Sequence, residues 1–188
     1  ASDVYKRQML EGQITLTKVF ANTILNNEVT GINVVASWDN EIYDNLISTP
    51  DSGWGGIWLN ETKQTYFAAH ATEKNLVRNN VIRNSSVGIA VLAGNENTIA
   101  NNTVVLNGPH SSGAAGILLF QDARANTIVN NIIAWNHGAG IIDQGQANRV
   151  RYNDLFMNSD NQLPLPSGDG NIFEDPLFVD LQNGNVRL

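Results

Sequence analysis

NTIANNTVVLN, residues 97–107, is the stretch whose reading decides the fold. It holds an asparagine, an aliphatic residue two places on and a second asparagine five places after the first. The same phrase recurs as NTILNNEVT from Asn22, NEIYDNLIS from Asn40, NLVRNNVIRN from Asn75, NTIVNNIIAWN from Asn126 and NRVRYNDLFMN from Asn148. The second asparagine is Asn27, Asn45, Asn80, Asn102, Asn131 and Asn153, unbroken over six copies. A glycine phrase follows most copies: GINV at Gly31, GIWL at Gly56, GIAV at Gly88, GILL at Gly116 and GII at Gly140. Copies start 18, 35, 22, 29 and 22 residues apart, which describes a coil of about 20 residues with two insertions.

Short alternating apolar segments punctuated by Gly and Asn read as strands, because alternate side chains face opposite sides and no helical period is present. The expected inward columns are Ile24, Ile42, Val77, Ile99, Ile128 and Val150 on one strand and Val29, Ile47, Ile82, Val104, Ile133 and Leu155 on the next. Ile32, Ile57, Ile89, Ile117 and Ile141 make a third. Three inward columns per turn predict three parallel sheets around one core, with the right-handed crossover that twisted parallel strands adopt. The fold class is therefore all-β, a right-handed parallel β-helix of about six to seven coils.

The asparagine column has a physical reason in such a coil. A bend between sheets leaves backbone groups partly buried, and an amide side chain carries both donors and acceptors. Stacked coil on coil, Asn27, Asn45, Asn80, Asn102, Asn131 and Asn153 are expected to form a structural ladder. Asn also tolerates the left-handed backbone that a tight bend requires.

Composition bounds the partners. A formal charge of -7, with only 15% charged residues, supplies no basic patch for a phosphate backbone, so nucleic acid is not an expected partner. Absent cysteine excludes disulfides, thiolate metal sites and cysteine nucleophiles. No apolar run is long enough to span a membrane. The opening ASDVYKRQ does not fit the pattern that follows and resembles translated adapter sequence at the ends of metagenomic reading frames. Residues 1–8 are read as a non-native leader and residues 9–188 as one β-helix domain with a closing segment at 159–188.

The N-x-I-x-N-N phrase alternating with G-I-x-L resembles the repeat of the pectate-lyase-like superfamily. That group includes pectate lyases, mannuronan epimerases, polygalacturonases, phage tailspikes and the periplasmic copper-binding β-helix proteins. The resemblance covers about residues 14–158 and implies the fold more than any one activity. GNIFEDPLFVDLQNGNVRL, residues 170–188, is similar to the end of many secreted bacterial β-helix proteins, which implies an exported, extracellular or cell-surface protein of which this chain is a fragment. Calcium is the one cofactor the resemblance leaves open; no metal site is read from the residues, and oligomeric state is not legible.

In that superfamily the polysaccharide groove lies on the outer face of the G-I-x-L strands. Here that outward column reads Asn33, Trp58, Ala90, Leu118 and Ile142. It lacks the base of a lyase and the paired carboxylates of a hydrolase. Insertions at 48–55, 108–115 and 60–74 flank this face, and in a solenoid such loops often build the binding side. They bring the expected substrate-binding residues Trp54, Trp58 and Tyr66, and the weak catalytic candidates Asp51, His70, His110, Asp122 and Arg124. The bland alternative is a set of variable surface loops packed on the sheet.

The leading expectation is an exported β-helix that binds an extracellular polysaccharide, with processing by lyase, epimerase or hydrolase chemistry left open. The rival is a non-catalytic structural or adhesive solenoid at the cell surface. A copper-delivery role is disfavoured by three histidines on different coils, no cysteine, and Met9 and Met157 as the only methionines.

Overall fold

A computed structural model describes residues 8–49, 55–61, 72–108, 114–159, 170–181 and 185–187. Every ladder between its strands is parallel. Sheet 1 holds Gln8–Glu11, Thr30–Val35, Gly55–Asn60, Val87–Val91, Ala115–Leu119 and Ala139–Asp143. Sheet 2 holds Lys18–Phe20, Glu41–Tyr43, Leu76–Arg78, Thr98–Ala100, Thr127–Val129 and Arg149–Arg151. Sheet 3 holds Thr23–Leu25, Leu46–Ser48, Val81–Arg83, Thr103–Val105 and Ile132–Ala134. The chain visits the three in turn and repeats, and each strand pairs with its counterpart one coil on. This is a right-handed parallel β-helix. A short fourth ladder turns the corner from sheet 1 to sheet 2 through Thr15, Trp38, Glu73, Asn95, Arg124 and Gln146, and no repeat phrase announces it.

The core is a stack of aliphatic columns, one or two per sheet. Sheet 1 contributes Ile32, Ile57, Ile89, Ile117 and Ile141, with Val34, Leu59, Val91 and Leu119 beside them. Sheet 2 contributes Val19, Ile42, Val77, Ile99, Ile128 and Val150, and sheet 3 contributes Ile24, Ile47, Ile82, Val104 and Ile133, with Leu155 following. β-Branched side chains suit this pleated, stacked surface. At Asp143 the second column of sheet 1 stops being apolar. Its carboxylate accepts from the Gly145 amide at 2.9 Å and from Asn148 Nδ2 at 2.8 Å.

One phase assignment from the repeat is corrected. Ile24 pairs with Ile47 in sheet 3 rather than heading the sheet 2 column, which starts at Val19, and Val29 is 43% exposed. NTILNNEVT is the second half of its coil. The place of its first asparagine is held by Thr17, whose amide donates to Asn40 Oδ1 at 2.9 Å; a search keyed on asparagine therefore locks five residues late.

Each of the three corners carries its own polar stack. The longest runs Asn22, Asn45, Asn80, Asn102, Asn131, Asn153 and Asn171, each amide nitrogen donating to the next Oδ1 at 2.9–3.2 Å. A second runs Asn40, Asn75, Asn97, Asn126 and Asn148. A third joins Ser85 to Asn107, Asn136 and Asn158. Asn27 belongs to this third corner: it lies three residues past Ile24, as Asn107 lies past Val104, and its amide reaches the Thr30 carbonyl at 3.5 Å. Asn22 takes the place expected for it.

The left-handed backbone falls one residue before each stack member rather than on it. Asp44, Asn79, Asn101, Asn130 and Tyr152 precede the first stack at φ of 54–56°, and Leu106, Trp135 and Met157 precede the third at 50–56°. Such a conformation costs a non-glycine residue about 1–2 kcal/mol. The stacked amides and the continuous ladders on either side hold it in place.

The glycines of G-I-x-L serve a different need. A Cβ on Gly31, Gly56, Gly88 or Gly116 would lie 2.5–2.7 Å from the carbonyl oxygen of the next glycine in the stack, and would strike Ile47, Ile82, Val104 or Ile133 of sheet 3. Space, not φ, selects glycine at this corner.

Candidate functional site

The outer face of sheet 1 is built by its alternation. With Ile32, Ile57, Ile89, Ile117 and Ile141 turned inward, Asn33, Trp58, Ala90, Leu118 and Ile142 stand outward and in register on successive coils, with Met9 paired to Asn33 at one end. This outward side is itself largely closed. Val87, Ala90, Ala115 and Leu118 are buried, and Trp58, Leu92 and Ile142 pack against them as a second apolar cluster. None of the five outward residues carries a charge.

Two polar features interrupt that apolar wall. The Trp58 indole is half-buried and folds back along its own strand, so that a Cβ on Gly55 would collide with its Nε1. Asn33 is 8% exposed, and its Oδ1 is buried without a hydrogen-bond donor. Among the described residues only Arg83 Nε, on the outward side of sheet 3, shares that condition.

Of the remaining candidates, the structure describes Asp122 and Arg124. Asp122 and Arg124 are both exposed and lie at the corner from sheet 1 to sheet 2, where Arg124 bridges Asn95 and Gln146. Asp51, Trp54, Tyr66, His70 and His110 lie outside the described residues. His137 is exposed at the turn before Gly138. On sheet 2, Arg78 and Arg151 share an outward column with Phe20, Tyr43, Ala100 and Val129. Phe20 replaces the Leu25 that the uncorrected phase would put there. Phe20 and Tyr43 stack at 5.1 Å, Arg78 lies 4.3 Å from the Tyr43 centroid, and Glu41 draws in both Arg78 at 3.4 Å and Lys18 at 3.9 Å. An open pocket of about 220 Å³ adjoins them, lined by Leu16, Thr17, Lys18, Asp39 and Glu41.

The closing segment adds a carboxylate group at the far end of sheet 3. Asp154 bridges Ile132 and Ile172 and accepts from the Glu174 amide at 3.2 Å. Burial holds its carboxyl above the ordinary aspartate value, and the charges of Glu174 and Asp175 push the same way. Phe178 packs beside Trp135, which also meets Phe156 edge-on at 5.2 Å.

Fold and face together define a solenoid repeat protein whose candidate site is an uncharged sheet surface around one tryptophan. Residues 56–178, more than half of the chain, match the family described as "Periplasmic copper-binding protein (NosD)", and the chain belongs to that family. Its description places the protein coarsely with exported, cell-envelope β-helices. No curated protein and no solved structure matches the chain. No helix among the described residues is long and apolar enough to cross a membrane.

The copper-binding group, argued against from the count of His, Cys and Met, is thus the group whose pattern fits. The count speaks to metal ligands, whereas the match follows the coil repeat. Among the described residues no three His, Cys, Asp or Glu side chains come together. The soft thioethers that would favour Cu(I) stand apart, Met9 in the first strand and Met157 beyond the last, and both are exposed.

Proposed function

We propose that this chain is an exported, non-catalytic β-helix that binds extracellular polysaccharide on the outer face of sheet 1. The observation that carries the reading is the outward column itself: a half-buried Trp58 set in a wall of Ala90, Leu118 and Ile142, with no ionisable side chain among them. A half-buried aromatic ring set among apolar side chains supports adhesion to sugar rings. Bond cleavage by lyase, epimerase or hydrolase chemistry needs a base or a carboxylate pair aimed at the substrate, and this column supplies neither. The same face equally serves a structural or adhesive solenoid.

A glycan array combined with assays for unsaturated products, new reducing ends and epimerised residues tests the proposal. Binding without turnover is expected. Turnover of any bound glycan makes the protein an enzyme, and absence of binding to every glycan removes the polysaccharide reading.

Family membership favours one second reading, copper binding. It predicts that Cu(I) titrated against a competing chelator is captured stoichiometrically and raises the melting temperature. Capture no better than that of a methionine-bearing peptide would set it aside.

A further inference from the structure

We propose that the cleft where the chain enters sheet 2, between the strands Lys18–Phe20 and Glu41–Tyr43, binds one ring of a neutral saccharide. The cleft lies on a different face from the outward column of sheet 1. It takes from the polysaccharide reading above only the general class of ligand, and the two sites fail separately.

The cleft is open to solvent and its walls are fixed. Its volume is about 220 Å³, and Leu16, Thr17, Lys18, Asp39 and Glu41 line it. Leu16 and Asp39 both hold left-handed backbone at φ of 54°, each directly before a member of the polar stack, Thr17 and Asn40. The Thr17 amide donates to Asn40 Oδ1 at 2.9 Å, and the Glu41 amide donates to the Thr17 carbonyl at 2.9 Å. Walls held by ladder and stack lose little freedom when a ligand enters.

The polar groups are set for hydroxyls. Arg78 meets Glu41 Oε2 at 3.4 Å while its guanidinium carbon rests 4.3 Å from the Tyr43 ring centroid, so the Glu41 carboxylate is anchored from the next coil. The other oxygen, Oε1, stands 3.9 Å from Lys18 Nζ, too far for a hydrogen bond. One hydroxyl placed between them donates to Oε1 and accepts from the ammonium. Asp39 is exposed, and among the described residues no ion pair or side-chain hydrogen bond engages its carboxylate. It accepts from a second hydroxyl of the same ring.

Charge selects a neutral ligand. Lys18 and Arg78 stand against Asp39 and Glu41, two of each sign, so an added carboxylate or ammonium meets repulsion as well as attraction. An apolar molecule would take water from these groups and return no hydrogen bond. A polyol brings donors and acceptors together. Phe20 follows Lys18 by two places on the same strand, so both face outward. It stacks on Tyr43 at 5.1 Å and is still 51% exposed, which leaves an apolar surface for the next ring of an oligosaccharide. Later coils put Ala100, Val129 and Arg151 in that column, so its aromatic pair is confined to the two strands that border the cleft.

Isothermal titration of the full chain with neutral gluco-, manno- and xylo-oligosaccharides, oligogalacturonate and oligoglucosamine tests the assignment. A neutral member should bind. Lys18→Met and Asp39→Ala should each weaken it about tenfold, the loss of a hydrogen bond to a charged group, and should melt close to wild type because both side chains are exposed. Phe20→Ala should also weaken the oligomer. Unchanged affinity in either Lys18→Met or Asp39→Ala overturns the cleft, because solvent then suffices between these groups. If Trp58→Ala loses affinity in that case, the sheet 1 reading stands without it. A wild type that binds only a charged oligomer overturns the neutral class. A wild type that binds no saccharide overturns both sites.

Discussion

Asn102 satisfies its neighbours as fully as they satisfy it. Its Oδ1 takes the Asn80 amide and side chain at 3.0 Å each, and its Nδ2 serves Val77, Ala100 and Asn131 at 3.0–3.1 Å. Truncation strands donors on one coil and acceptors on that coil and the two that follow, all at a buried corner. Asn102→Ala should therefore lower stability by about 1–3 kcal/mol in urea unfolding. Asn148→Ala, at the half-exposed end of its stack where Asp143 takes over as acceptor, should cost less. Equal losses at the two sites would contradict a burial-dependent ladder.

At the scale of the strand and its corner, the repeated glycine matters as much as the repeated isoleucine. Gly88 sits where a Cβ would meet the Gly116 carbonyl at 2.5 Å and the Val104 side chain. The first of these is backbone in a continuous ladder and cannot step aside. Gly88→Ala should destabilise by about 1–3 kcal/mol, the range of an overpacked interior, although alanine is ordinarily the easier residue in a strand. A thermal melt showing a gain would mean that sheets 1 and 3 are not held this close. The element scale also explains the misplaced first copy. Asparagine, threonine and serine all fill these corners, as Thr17, Ser85 and the Thr49–Ser85 hydroxyl pair at 2.7 Å show, so a pattern of asparagines alone does not fix the phase.

For the whole molecule, contacts run from coil to coil, and a solenoid of this kind opens from its ends. The closing segment packs on the last described coil, where Ile172 exchanges backbone bonds with Asn153 and Leu155 at 2.8 and 2.9 Å beside the crowded Asp154. Since folding raises the Asp154 pKa, the folded state holds that proton more tightly than the unfolded chain does. Its contribution is present below the ordinary value of 3.8 and is lost as pH rises through the raised folded value. Asp154→Asn keeps the acceptor for the Glu174 amide and removes the charge. It should increase hydrogen-exchange protection of the Leu155 and Ile172 amides at neutral pH, and the difference from wild type should vanish below pH 3.8. A difference that persists in acid would point to packing instead of charge.

The periodic residues by themselves determined a great deal. An aliphatic residue two places after each repeat asparagine, paired asparagines five places apart and a glycine just ahead of each sheet 1 isoleucine from Ile32 onward permit one kind of object, a three-sheeted parallel solenoid, because each coil must repeat the environment of the last for identical side chains to stack. The particular family does not follow from it: the donor count points away from the copper-binding group, and the match over residues 56–178 is what assigns the chain there. Only the tertiary structure decided where the repeat begins, that three corners rather than one carry polar stacks, that the left-handed residue precedes the asparagine, and that Asn33 is left with an unmet acceptor. These depend on which atoms face one another across coils 22 to 35 residues apart, a relation that insertions of unequal length scramble along the chain. A site is an exception to the repeat, and an exception shows itself only once its neighbours in space are known.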